Sequence, residues 1–202
     1  MDIKKIISDY IDQNSERLTS MSDDIWGYAE VGMREWKSSE RLIEELDIQF
    51  VGVGSGEREY EDFFRYLNNK YPGKAHISLG YSLEIGKKIY SGADIYVMPS
   101  LTEPCGLSQI VASRYGVVPI VRETGGLRDS IKDFGCEEGG NGYTFTNYNP
   151  NDLQYQLDRA IKDFSNRTEW KEKMKICMSQ DFTWKKPAQN YINLYKSVYT
   201  QN

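Results

Sequence analysis

From Asp47 onward short apolar runs alternate with amphipathic ones, and this alternation constrains the fold of the 202-residue chain more than any other feature. The runs IQFVGVG, AHISLGY, ADIYVMPS, VVPIVRE and GYTF read as strands. The intervening YEDFFRYLNNKY, LEIGKKIYSG, GLSQIVASRYG and GLRDSIKDFG read as helices. Strands joined by helices through short turns are βαβ units, which build a parallel sheet with helices packed against it. Residues Asn151 to Phe164 and the segment after Trp184 read as closing amphipathic helices.

The first 46 residues have a different character. Ile3, Ile6, Ile7, Tyr10, Ile11 and Leu18 recur at three- and four-residue intervals, the signature of one helical face. SSERLIEEL, from Ser38 to Leu46, opens on capping serines and carries Leu42, Ile43 and Leu46. The expected organisation is a helical N-terminal segment, residues 1–46, followed by an α/β Rossmann-like domain, residues 47–202. The shift in composition is the only boundary signal, because no low-complexity linker separates the two.

Composition excludes several classes. A chain that is 39% hydrophobic and 13% aromatic can bury a core. Its formal charge of -5 argues against a general nucleic-acid binder, which carries a basic surface. Cys105, Cys136 and Cys177 are odd in number and scattered, which suits neither a disulfide framework nor a structural zinc site. No apolar run approaches membrane-spanning length, and MDIKKIISDY lacks signal-peptide architecture. A cytoplasmic protein with no metal and no membrane or nucleic-acid partner is the expectation.

Three glycine-bearing turns are candidate ligand loops. Gly52-Val53-Gly54-Ser55-Gly56 resembles half of a dinucleotide fingerprint, but Glu57 occupies the third glycine's place and sets a negative charge where a pyrophosphate would approach. A plain strand-to-helix turn is the favoured reading there. In MPSLTEPCGLSQ a strand ends at Met98, a loop carries Glu103 and Cys105, and Gly106 opens a helix. The carboxyl ends of parallel strands form the ligand crevice of such sheets. The amides of Gly106, Leu107 and Ser108, at the positive end of a helix dipole, would suit a phosphate, and Glu103 would suit sugar hydroxyls. A capping loop with a surface glutamate is an equal alternative. Arg122-Glu123-Thr124-Gly125-Gly126-Leu127 repeats the geometry after the next strand, where glycines allow close approach of either a backbone or a ligand.

Several phrases in order, GSGEREYEDFF, YPGKAHISLGY, IYSGADIYVMPSLTEPCGLSQIVASRYGVVPIVRETGGLRDSI, NGYTFTNYNP and SQDFTWKKPAQNYINLYKSVY, resemble the C-terminal domain of bacterial glycogen synthases and plant starch synthases. The resemblance covers about Asp47 to Tyr199. It implies one half of a glycosyltransferase with two Rossmann-like domains, which binds ADP-glucose, or ADP, and transfers glucose to an α-1,4-glucan with retention of configuration and without a cofactor. By this resemblance Glu103 is the catalytic carboxylate that contacts the transferred glucose. Cys105 and Gly106 belong to the loop that grips the sugar, and Leu107 and Ser108 meet the distal phosphate. Tyr81 is the tyrosine against which adenine lies, and Thr124, Gly125 and Gly126 form the second loop of the nucleotide-sugar site.

The sequence also departs from that pattern. No GRLxxQKG-like basic loop is present, Ser-Arg-Phe-Glu has become Ser100-Leu101-Thr102-Glu103, and Arg-Arg-Thr-Gly-Gly has become Arg122-Glu123-Thr124-Gly125-Gly126. Each change removes positive charge expected beside a diphosphate, so the isolated chain is expected to be an incomplete enzyme. The alternative is a non-catalytic nucleotide- or glucan-binding module acting with a partner chain. Residues 1–46 resemble instead the opening of zinc amidohydrolases of the aminobenzoyl-glutamate hydrolase and aminoacylase type. A two-metal site needs several histidines and this chain has only His76, read as a core or strand-end residue, so a hydrolase fragment is the weakest alternative. Finally, Trp184, Ala188, Tyr191, Leu194 and Tyr195 form an apolar stripe at helical spacing, which either packs on the sheet or serves self-association.

Overall fold

The computed structural model describes Glu44 and residues 46–135 and 139–199; nearly all of the N-terminal helical segment, and Cys136, lie outside the described residues. The chain divides into two units, Met1–Ile89 and Tyr90–Asn202, and each has its own parallel sheet.

In the first unit β1 (Phe50–Gly54), α1 (Arg58–Lys70) and β2 (Ala75–Leu79) form one βαβ turn of the chain. The strands pair in parallel from Phe50 opposite Ala75 to Gly54 opposite Leu79. Phe63, Phe64 and Leu67 of α1 pack on Ala75 and Ile77 of β2. Glu59 and Glu61 in the first turn of α1 and Lys70 in its last complement the helix dipole. The Asn68 side chain then occupies the open edge of β2, donating to the Ile77 carbonyl at 2.8 Å and accepting from the Ile77 amide at 2.7 Å. A strand whose outward-facing groups are spent this way offers little to a further strand. The alternation is met by two parallel sheets, one in each unit, and Asn68 closes one edge of β2. His76 is exposed on β2 rather than part of the core.

Helix α2 (Leu83–Gly92) leads into the second unit, where β3 (Ile95–Met98), α3 (Ser108–Arg114), β4 (Val118–Arg122), α4 (Gly125–Ser130) and β5 (Tyr143–Phe145) follow. The strands lie in the order β3-β4-β5, all parallel, with Val97 opposite Ile120 and Ile120 opposite Tyr143. Central β4 is buried on both faces, which explains its unbroken apolar run. Val118 and Ile120 face a cluster containing Tyr143, Phe145, Ala160, Trp170 and Cys177, whereas Val121 faces Leu127 and Ile131. The first face is covered by α5 (Pro150–Ser165) and α6 (Arg167–Ser179); the closing helix is α7 (Lys185–Tyr199). Helix α5 starts where Asn149 accepts from the Asp152 amide at 2.9 Å and Pro150 fills the first helical position. Helix α6, which periodicity did not announce, begins at Asn166 in the same manner and buries Trp170 edge-on against Phe164.

The helix expected over GLRDSIKDFG ends at Ser130, because other groups claim the chain beyond it. The Asn141 side chain donates to the Ser130 carbonyl and accepts from the Lys132 amide. Asp133 is buried and held by both outer nitrogens of Arg159 at 3.0 and 3.1 Å and by the amides of Gly135 and Thr144. Burial alone would push the Asp133 carboxyl up, but Arg159 and the two amides outweigh it and hold it below the ordinary range. Replacing Asp133 with alanine strands four donors, and breaking such a buried pair costs about 3 kcal/mol. Urea unfolding at pH 7 should report that loss. A depressed native pKa stabilises fully above the ordinary carboxylate value of about 3.9 and ceases to do so as pH falls through the native value. The gap between wild type and Asp133→Ala should therefore close on acidification below pH 4, roughly.

Candidate functional site

The carboxyl ends of β3, β4 and β5 lie side by side, and the loops leaving them are tied together by backbone rather than by apolar packing. The Gly126 amide donates to the Glu103 carbonyl at 3.1 Å. A Cβ on Gly125 would collide with the Glu103 carbonyl oxygen, and one on Gly126 with the Cys105 carbonyl oxygen. The two glycines thus serve the approach of one loop to the other. Buried Gln109 completes the joint: its amide nitrogen donates to the Gly106 carbonyl at 2.9 Å and to the Ser130 hydroxyl oxygen at 3.0 Å. Ser130 in turn donates to the Gly126 carbonyl at 2.7 Å.

Within this frame the Glu103 carboxylate is half-buried and accepts from the Gly106 amide at 3.0 Å. That amide is consequently not free for a ligand, a correction to the expectation that Gly106, Leu107 and Ser108 all point amides into the crevice. Leu107 and Ser108 open α3, where amides have no carbonyl partner within the helix. Leu107 and Cys105 are exposed, and the Ser108 hydroxyl donates to the Met98 sulfur at 3.3 Å. Gly106 adopts a positive φ of 68°, the conformation the turn into α3 requires. Thr124 caps α4 through its extended backbone and makes no side-chain cap bond. Tyr81 alone of the expected site residues belongs to the first unit. It follows Gly80 at the carboxyl end of β2 and is 88% exposed, which excludes a role in the core. The Gly52–Gly56 turn is a strand-to-helix connection whose Gly56 amide is met by Glu61 of α1 at 3.4 Å.

Sequence reasoning missed the residues that fasten the loops. Arg122, at the end of β4, donates from Nε to the Ser100 carbonyl at 2.9 Å and from one outer nitrogen to the Leu101 carbonyl. Its other outer nitrogen donates to the Thr146 carbonyl at 3.2 Å. Glu123, which stands where a second arginine was expected, turns toward β5 and accepts from the hydroxyls of Thr144 at 2.7 Å and Thr146 at 3.2 Å. The alternation in Thr144-Phe145-Thr146 was the available signal, since period two sets both hydroxyls on one face. Cys177, by contrast with Cys105, is a core thiol that donates to the Asn141 carbonyl, and burial pushes it up to about 12. Among the described residues no cluster of histidine, cysteine and carboxylate side chains suits a metal ion, and no helix is long and apolar enough to cross a membrane.

Glycosyl transferases group 1 is the family that matches residues 35–176, and the chain belongs to it. The chain is 43% identical over 159 residues to the glycogen synthase of Bacillus cereus strain Q1, covering 78% of this chain and 33% of that protein. To the glycogen synthase of Desulforamulus reducens it is 47% identical over 154 residues, covering 76% and 32%. It therefore spans about a third of the length of these curated relatives. Among solved structures, the catalytic domain of starch synthase IV from Arabidopsis thaliana, bound to ADP and acarbose, matches with a TM-score of 0.64 at 24% identity. That match covers 84% of this chain and 44% of that one. These relatives lend no support to the amidohydrolase resemblance of residues 1–46.

The nested loops set a requirement on side-chain size. Gly126→Ala forces the two loops apart and should cost about 1–3 kcal/mol of stability in thermal unfolding. Gly86→Ala, whose added methyl meets open space on α2, should leave stability unchanged or slightly raised.

Proposed function

We infer that this chain forms the nucleotide-sugar-binding part of a glycogen synthase-like glucosyltransferase, which takes ADP-glucose as donor and an α-1,4-glucan as acceptor. The observation that carries this reading is the joint of the Glu103–Gly106 loop with the Thr124–Gly126 turn, in a chain 43% identical to a glycogen synthase. In this reading Glu103 contacts the transferred glucose, Cys105 and Gly106 form the wall beside it, and the Leu107 and Ser108 amides meet the distal phosphate. Thr124, Gly125 and Gly126 belong to the second loop of the same site. Departure of ADP leaves a cationic sugar ring, and a carboxylate fixed beside it by the Gly106 amide is placed to stabilise that charge. The reaction class needs no metal or cofactor beyond the nucleotide sugar, and a cytoplasmic location accompanies it. A non-catalytic module acting with a partner chain is not favoured by relatives that are synthases.

Calorimetric titration with ADP and ADP-glucose, with glucose incorporation into glycogen followed in parallel, tests this reading. Both nucleotides should bind. Glu103→Gln should weaken ADP-glucose about tenfold, the loss of one charged hydrogen bond, while ADP affinity stays unchanged. A chain that binds neither nucleotide overturns the reading.

The apolar stripe on α7 supports a second proposal, self-association. Trp184 is 76% exposed and Tyr195 68%, and Tyr191 and Leu194 are more than half exposed, so the stripe is not packed on the sheet among the described residues. Light scattering should give a mass above that of one chain, and Tyr195→Glu should return it to one. A monomeric wild type removes the proposal.

A further inference from the structure

Each sheet has one edge closed by side chains, and the closure is local. On β2 the Ala75 amide donates to the Tyr71 carbonyl at 2.9 Å, and Asn68 satisfies both main-chain groups of Ile77. On β5 the Thr144 amide donates to Asp133 at 3.1 Å and its carbonyl accepts from Gln156 at 2.6 Å. Outward groups occupied in this way are closed to a further strand.

Strand β1 carries no such cover. The Phe50 amide donates to the Lys74 carbonyl and the Gly54 carbonyl accepts from the Gly80 amide, both at 2.7 Å. With the parallel register, this turns the main chains of Phe50, Gly52 and Gly54 toward β2. Period two then turns the amides and carbonyls of Val51 and Val53 to the outer edge. Among the described residues those outward groups have no hydrogen-bond partner. Strand β3 is open in the same sense at Ile95 and Val97, but those side chains pack on the core. On β1 the side chains are open too, with Phe50 37% exposed and Val51 49%.

Exposed edges are ordinarily protected by a charge, a proline or a bulge, and FVGVG has neither charge nor proline. Outward amides and carbonyls two residues apart are matched by another extended backbone, because a helix spends its own main chain internally. An incoming strand would lay alternate side chains beside Val51 and Val53 on one face and beside Phe50 on the other. Apolar residues suit both faces. Charge sets the ends: Asp47 precedes β1 and Glu57 follows it, and both are exposed. Basic residues flanking the incoming strand are attracted there. A second copy of the chain is disfavoured by the same residues. Antiparallel pairing of Val51 with the copy's Val53 sets Asp47 opposite Glu57 at both ends, like against like.

We propose that the outer edge of β1 is a strand-addition site for an extended, apolar segment of a different polypeptide, flanked by basic residues. Main-chain bonds to Val51 and Val53 hold the segment, and its apolar side chains cover Phe50 and Val51. The site belongs to the first unit and is independent of the nucleotide-sugar reading.

The test titrates the peptide Lys-Val-Thr-Val-Thr-Val-Lys into the 202-residue chain by calorimetry, with amide hydrogen exchange followed by NMR. The expected result is binding, with exchange slowed at the Val51 and Val53 amides. Val51→Pro removes one outward donor and no bond to β2, so thermal unfolding should stay near wild type. Its peptide affinity should fall about fivefold, the loss of one backbone hydrogen bond. The fully N-methylated peptide, which tests the site without altering the protein, should not bind, and glutamates in place of the lysines should weaken binding. A wild type that ignores the parent peptide overturns the proposal. So does equal binding of the N-methylated or glutamate-flanked peptide, or undiminished affinity in Val51→Pro. Slowing of the same amides with rising protein concentration and no peptide also overturns it, since the occupant would then be a second copy.

Discussion

The Gly126 amide meeting the Glu103 carbonyl is the contact on which the second unit's functional edge depends. It is possible only because residues 125 and 126 carry no side chain, so two backbones approach to hydrogen-bonding distance. Once they do, the groups left inside the joint must find partners, since an unpaired buried polar atom costs about 1–3 kcal/mol. Gln109 and Ser130 supply partners for the Gly106 and Gly126 carbonyls, one from α3 and one from α4, and so couple both helices to the loops they begin, while Gln109 Oε1 itself has no protein partner. The position of the Glu103 carboxylate follows from this lattice: the loop is fixed by its carbonyls, and the side chain then folds onto the Gly106 amide.

A second layer of bonds makes the edge of the sheet one piece. Arg122 reaches back to the loop leaving β3 and sideways to the exit of β5, while Glu123 on the next residue takes two threonine hydroxyls of that exit. Successive strand-end residues pointing in opposite directions can bind neighbours on both sides, and an Arg-Glu pair does so with complementary donors and acceptors. The departure from Arg-Arg is therefore not simply a lost charge; the acidic residue has acquired structural partners. Below this, the Asp133–Arg159 pair ends α4's continuation and braces α5 against β5.

Much of this was legible in the sequence, and the unread part has a common cause. The βαβ alternation announced every described strand, because apolar period and turn chemistry are local properties. The TGGL turn was legible as a place of close approach, although its partner could be named only once Glu103 and Cys105 were seen against it. Arg122, Gln109, Ser130 and Asp133 act through partners 21 to 26 residues away or in other elements, and single-sequence periodicity carries no such information. The Asn68 side chain that closes one edge of β2 went unread for the same reason, since its partner Ile77 lies in another element. Helix α6 escaped notice because its buried residues, Trp170 and Cys177, are too few to print a stripe.

The distribution of charge gives the cradle its character. Arg122 and Arg159, the guanidinium groups nearest the strand ends, are bound to carbonyls and to Asp133, and Arg128 leans on the Glu123 carbonyl. In the proposed reading, what the loops would offer a diphosphate is the dipoles of amides at the start of α3, which orient an anion without neutralising it. Amides fixed in place cost no reorganisation when charge develops on a leaving phosphate, so they suit the transition state better than they suit tight ground-state binding. A site built this way favours geometry over affinity.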